Sequence, residues 1–151
     1  MTGGNEPTGR RVVIFGQMAR TGRMASDEAG ALTVGEVMIS RPKTHPVDAL
    51  VGDVRRAFEN PSVRTVLLAD HGMFRGAIDR DALPEGAPAG EPALPYADTE
   101  PVTAVPGMPI AEAIELLEDQ PEPRLIVLDA DGATLRGLLC FNRGSNEFCV
   151  R

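Results

Sequence analysis

RPKTHPVDALVGDVRRAFENPSVRTVLLADHGMFRGAIDRD at residues 41–81 and EPVTAVPGMPIAEAIELLEDQPEPRLIVLDADGATLRGLLCFN at residues 100–142 are two versions of one pattern. Offset by 59 residues, Pro42 meets Pro101, Thr44 meets Thr103, Val51 meets Ile110, Phe58 meets Leu117 and Asp70 meets Asp129. Two residues inserted in the second turn then bring Arg75-Gly76 onto Arg136-Gly137. A repeat of this length is a supersecondary unit used in pairs, because one copy cannot bury its apolar face alone.

Local chemistry gives each copy the same elements. The residues before Pro42 and Pro46 are pushed toward extended backbone. Asp48 is placed to cap a helix in which Leu50, Val51, Val54, Ala57 and Phe58 recur at spacings of three and four. Asn60-Pro61 ends that helix. Thr65 to Leu68 reads as a strand covered on both sides, Asp70-His71-Gly72 as a turn, and Gly76 to Ile78 as the returning strand. In the second copy, Val102 to Val105 is extended and Ile110, Ala113, Ile114 and Leu117 form the helix face. Leu125 to Leu128 and Leu135 to Phe141 make the strand pair around Asp129–Gly132. Upstream, Thr33 and Glu36 stand at capping-box spacing and open a short helix.

The expected fold is α+β (α/β-like), with small sheets, helices packed outside, and two units stacked around a pseudo-twofold axis. The expected divisions are a flexible segment at 1–31, repeat 1 at 32–83, a Pro/Gly-rich linker at 84–98, and repeat 2 with a C-terminal tail at 99–151. The first segment has one apolar patch, Val12 to Phe15, read as loosely attached or as an added edge strand. Met18 and Met24 are alternative starts.

Composition narrows the function. An apolar fraction of 42% in 151 residues supports one core or two half-domains, packed by aliphatic side chains since Trp is absent. A net charge of −7 disfavours nucleic acid and anionic membranes, which require clustered Lys and Arg. Lys43 is the single lysine among 15 basic residues, a bias that fits a GC-rich bacterial coding sequence. No apolar run reaches the roughly 18 residues that span a bilayer. The RRVVIFG start carries paired arginines, but its apolar stretch falls short of a signal core of about 7–15 residues. The expected location is cytoplasmic.

No Ser-His-Asp constellation, glycine-rich phosphate loop or metal cluster is present, so no enzyme is expected. His45 and His71 have no second ligand at metal spacing and read as loop and turn histidines. Asp129-x-Asp131-Gly132 opens like a calcium loop but lacks the twelve-residue pattern, and a turn explains it. Cys140 and Cys149 read as ordinary buried thiols. A disulfide between them, the basis of a third reading as a redox-sensing module, requires residues 144–148 to fold back.

These residues resemble tandem CBS domains, the Bateman module. The first copy offers Met38 with Pro42, Thr44, Val54 to Phe58, Val66 to Asp70, and Gly76 to Leu83. The second offers Pro101, Thr103, Ala113 to Leu117, Ile126 to Asp129, and Gly137 to Gly144. The resemblance spans about 110 residues and implies two units of β-α-β-β-α type. It also implies a homodimer, an unidentified effector protein, and an adenine-type nucleotide (AMP, ADP, ATP or S-adenosylmethionine) as regulatory ligand, with no cofactor and no metal. The implied ligand residues of the inter-repeat cleft are Thr44, His45, Asp79, Arg80, Asp81, Thr103, Ala104, Cys140, Asn142 and Arg143.

Departures from the family pattern are specific. Nucleotide-binding members place a Ser/Thr hydroxyl at phosphate or ribose and an Asp three residues later at the ribose hydroxyls. Here the hydroxyl positions hold Asp79 and Cys140, and the carboxylate positions hold Ala82 and Arg143; Asp81 sits one residue early. Arg143 suits a phosphate, whereas Asp79 repels one. The alternative implied is a degenerate pair serving as a ligand-free dimerisation scaffold.

Overall fold

The computed structural model describes residues 22–25 and 32–150 of the chain. The patch at Val12 to Phe15 and the alternative start at Met18 lie outside the described residues. The chain divides into two compact units, one built from residues up to Arg41 with Ala104–Val127 and Arg136–Arg151, the other from Pro42–Thr103 with Leu128–Leu135. Each unit therefore draws on both sequence repeats.

The second of these units holds the first copy's core. Strand β2 (Thr44–Pro46) lies parallel to β3 (Thr65–Asp70), which pairs antiparallel with β4 (Met73–Asp79) in a three-stranded sheet ordered β2-β3-β4. The β3–β4 turn is two residues long, with His71 at φ 52° and Gly72 at φ 79°. Positive φ at both positions matches the right-handed twist of the flanking strands. Helix α2 (Val51–Ala57) connects β2 to β3 and buries Val51 and Val54. Val54 joins Ala49, Val66, Leu68, Ile78 and Ala93 in one apolar cluster. Each large side chain so buried contributes roughly 1.5–3 kcal/mol.

Asp48 is not the cap of this helix. The helix starts later, at Val51, because Pro46–Ala49 forms a turn in which the Ala49 N–H donates to the Pro46 carbonyl (3.0 Å). Asp53 reaches back instead, accepting the Leu50 N–H at 3.0 Å. Leu50 is thereby outside the helix and 41% exposed, contrary to the face expected from its spacing.

The other unit repeats the arrangement with the second copy. Strands β5 (Thr103–Ala104), β6 (Arg124–Leu128) and β7 (Leu135–Asn142) stand in the order of β2, β3 and β4, and α3 (Ile110–Glu118) connects β5 to β6. Two strands extend this sheet: β8 (Glu147–Val150), antiparallel to β7, and β1 (Gly22–Ala25), antiparallel to β8. Part of the segment expected to be flexible is thus a paired strand, and the expected tail is its neighbour. Ile110, Ala113 and Leu117 of α3 pack with Leu125, Val127, Leu139 and Phe148, and with Val34 and Val37 of α1 (Val34–Val37). The short α1 helix has the expected cap contact: Glu36 accepts the Thr33 N–H at 2.9 Å.

The closing element of each copy differs from the helix the resemblance implies. After β4 there is only a 3-10 turn at Arg80–Ala82, ended by Pro84, which cannot continue a helix. After β7 the chain turns through 143–146, with Asn146 at φ 57°, into β8.

Opening segments are shared out in a regular way. Residues 33–39 lie in the unit with the second copy's core, whereas 92–98 lie with the first copy's. Thr33 bridges Pro109 where Pro92 bridges Leu50, and Ile39 bridges Leu138 where Asp98 bridges Ala77. Val34 and Ala93, which correspond at the 59-residue offset, are both fully buried. The first N–H groups of α2 and α3 donate just ahead of these segments, Val51 to the Glu91 carbonyl and Ile110 to the Leu32 carbonyl. The stretch read as a linker is held further by Arg55, which donates to the carbonyls of Pro84 (2.9 Å) and Glu85 (2.8 Å). Among the described residues no helix is long and apolar enough to cross a membrane.

Candidate functional site

In the unit built on the first copy, Thr44 and His45 stand on the short strand β2, Asp79 ends β4, and Arg80 and Asp81 form the 3-10 turn after it. Thr44 and Asp81 are exposed. Asp79 is half-buried and accepts the Thr65 hydroxyl at 2.7 Å across the β3–β4 pair. Thr65 was not among the residues singled out from sequence. A bulge between Leu68 and Ala69 shifts the register and brings it opposite Asp79; counting from the turn alone sets Thr65 opposite Ile78.

Arg80 faces the protein. Its Nη1 donates to the Phe58 carbonyl (2.9 Å), and its Nη2 donates to the carbonyls of Asn60 (2.8 Å) and Val63 (2.6 Å). Its guanidinium also lies 5.0 Å from the centre of the Phe58 ring. A helix leaves its last carbonyls without intrahelical partners, and a cation there complements the helix dipole. Arg80 thus ties the end of α2 to the end of β4 and acts as a positioning residue.

Arg143 does the same in the other unit. Its Nη2 donates to the carbonyls of Leu117 (2.7 Å) and Gln120 at the end of α3. Leu117 is the counterpart of Phe58, yet Arg143 aligns in sequence with Ala82 rather than Arg80. The strand has reached the matching helix end from further along. Asn142 is likewise engaged locally, its Oδ1 accepting the N–H groups of Gly144 (2.9 Å) and Ser145 (3.2 Å). Ala104 is buried, while Thr103, Cys140 and Asn142 are half-buried.

His45 opens on a cavity of about 320 Å³ lined by Lys43, His45, Pro46, Ala49, Asp53, Arg56 and Ala57. Of these only His45 was foreseen. Asp53 is tied within the wall: it accepts from Arg56 at 2.7 Å as well as from the Leu50 N–H. That backbone N–H, followed by Arg56, holds the Asp53 carboxyl below its ordinary range against the opposing effect of desolvation. Buried His45 Nδ1 has no hydrogen-bond partner among the described residues. Burial, and then the Lys43 charge, lower the His45 pKa against a smaller upward pull from Asp53. His71, by contrast, is 91% exposed, with Nδ1 2.9 Å from Asp70 Oδ1. Asp131 caps its own turn by accepting from the Ala133 and Thr134 N–H groups. Among the described residues no three His, Cys, Asp or Glu side chains gather as a metal site.

A β-α-β-β unit occurs twice, and each copy is completed by the opening segment of the other. The family model for the CBS domain matches residues 95–141. The chain resembles the crystal structure of the CBS-pair protein CBSX2 from Arabidopsis thaliana at 22% identity, with a TM-score of 0.62, over 77% of this chain and 92% of that one. CBSX2 in complex with AMP gives 22% identity, a TM-score of 0.65 and coverage of 77% and 93%. The cytosolic domain of the Mg2+ channel MgtE in complex with ATP gives 19% identity, a TM-score of 0.60 and coverage of 70% and 44%. No curated protein matches the chain significantly. The match at 95–141 and these likenesses together show that the chain has the CBS-pair fold.

Arg80→Met removes three carbonyl partners while keeping much of the aliphatic stem. It is expected to lower unfolding stability by about 1.5–3 kcal/mol, the range for hydrogen bonds to a charged group, in urea titrations. Unchanged stability contradicts the positioning role.

His45 sets a pH dependence. The unfolded chain takes up the imidazole proton near pH 6.5, while the folded chain resists it to lower pH. Stability contributed by neutral His45 is therefore complete above pH 6.5 and is lost as pH falls toward the lowered folded value. Asp53 and Asp131, whose pKa values are lowered from 3.8, act only in a more acidic window. His45→Gln is expected to flatten the fall in Tm between pH 6.5 and the folded pKa; an unchanged slope contradicts this assignment.

Proposed function

We propose that the chain is a regulatory module, not an enzyme, that senses an adenine-type nucleotide: AMP, ADP, ATP or S-adenosylmethionine. The observation that carries this reading is the likeness of its fold to CBSX2 in complex with AMP, supported by the likeness to the ATP complex of the MgtE domain. The strand-end residues Thr44, Asp79, Asp81, Thr103, Ala104 and Cys140 are the ligand contacts we assign. Arg80 and Arg143 then hold helix ends in place beside them. Asp81 is an exposed carboxylate suited to a pair of ribose hydroxyl donors. The ligand acts by favouring one conformation of a homodimer and so changing the surface offered to an effector protein.

A second reading has its own support. Both arginines near the family's ligand positions are engaged with backbone carbonyls, and Ala82 takes a carboxylate position. On this reading the pair is a dimerisation scaffold without a ligand.

Calorimetric titration with AMP, ADP, ATP and S-adenosylmethionine separates the two. The sensing role requires saturable heat and a raised Tm with at least one of them. Asp81→Asn should weaken that ligand about tenfold, or about 1.4 kcal/mol. Absence of heat and of any melting shift for all four overturns sensing and leaves the scaffold, whose dimer is then unaffected by nucleotide in sedimentation.

A further inference from the structure

The chain contains two cysteines, 140 and 149, on strands that the fold makes neighbours. In the β7–β8 pair, Asn142 stands opposite Glu147 and Phe141 opposite Phe148. The Phe141 and Phe148 ring centres are 4.9 Å apart, so this pair meets directly on one face, and Phe148 is fully buried there. One step further along the same register sets Cys140 opposite Cys149, on the other face of the strands, where both are half-buried. Directly opposed residues of an antiparallel pair have Cα atoms about 4.5–5.5 Å apart. A disulfide spans Cα separations of about 4.4–6.8 Å.

We infer that Cys140 and Cys149 form a redox-modifiable dithiol, closed to a disulfide by a peroxide-class oxidant. One thiolate attacks the peroxide and becomes a sulfenic acid as hydroxide leaves and is protonated to water. The second thiol attacks that sulfur, the S–S bond forms, and a second water departs. Two thiols are oxidised by two electrons and one peroxide is reduced. The fold-back of residues 144–148 that a bridge requires is supplied by the turn at 143–146, held by the Asn142 side chain. The bond fastens β8 to β7 and, because among the described residues β1 pairs only with β8, secures the sheet edge on which both strands depend.

The test treats the full native chain with one equivalent of hydrogen peroxide and follows intact mass, thiol labelling and Tm. A loss of about 2 Da is expected, the two hydrogens of a closed dithiol, together with loss of both alkylatable thiols and a Tm raised by several degrees. Trypsin then yields 137–143 joined to 144–151, separated by reductant. Closure should be at least about tenfold faster in the native chain than in urea, the advantage of held geometry over a free loop. Cys140→Ser and Cys149→Ser should each abolish the mass loss. Retention of both thiols, gain of oxygen in place of hydrogen loss, a cross-link between two chains, or equal rates in buffer and urea overturns the inference.

Discussion

Close approach of a backbone segment from one repeat to a glycine in the other repeat's core governs the rest of this structure. At Gly76 a Cβ atom would lie 2.8 Å from Ala97 Cβ; at Gly137 it would lie 2.5 Å from Met38 Sδ and 2.7 Å from the Ile39 carbonyl oxygen. Neither glycine is there for a turn. Each makes room for an opening segment to pair with β4, the edge of its sheet, or with β7 at Leu138, outside the stretch paired with β8, as the Ala77–Asp98 and Ile39–Leu138 bridges record. An open strand edge invites pairing with another chain, and covering it removes that hazard. Glu91 and Leu32, just ahead of these segments, accept the first N–H of α2 and α3, so one stretch of chain serves both the strand and the helix.

The same strands also meet the helix ends. The strand ends where nucleotide contacts are expected are also the places where β4 and β7 meet the ends of α2 and α3. A guanidinium in each unit binds those helix carbonyls, Arg80 in one and Arg143 in the other. Arginine suits this duty because its planar fork reaches several acceptors from one position. Fixing the helix end also fixes the neighbouring carboxylates: Asp79 is oriented by Thr65, and Asp81 projects to solvent from the turn that Arg80 anchors. The guanidinium that anchors the turn and the carboxylates beside it are adjacent residues.

Much of the architecture was legible because it depends on periodicity and on turn chemistry. Ile110, Ala113 and Leu117 at helical spacing are the buried face of α3, and His71-Gly72 is the two-residue turn. The repeat offset located both copies and paired Gly76 with Gly137 before their role was visible. What sequence left hidden depends on register and on long-range exchange. The Leu68/Ala69 bulge moves Thr65 by one position and so makes it Asp79's partner. Arg143 performs Arg80's task from a position that alignment gives to Ala82, because strand β7 runs further before it turns. The β1 strand could not be foreseen, since its pairing partner β8 is supplied by the far end of the chain. The cavity beside His45 joins Lys43 to Asp53 and Arg56 across a strand-to-helix connection, a proximity set by the turn at Pro46–Ala49.

A double-mutant cycle on Gly76 and Ala97, read by urea denaturation, probes the exchanged contact most directly. Gly76→Ala alone should cost about 1–3 kcal/mol, the range for overpacking. In the Ala97→Gly background the clashing Cβ is gone and the cost should fall well below that, leaving a coupling outside the roughly 0.3–0.5 kcal/mol within which independent sites add. Strict additivity would mean that residues 92–98 do not lie on β4, and the account of two repeats completing each other's cores would fail.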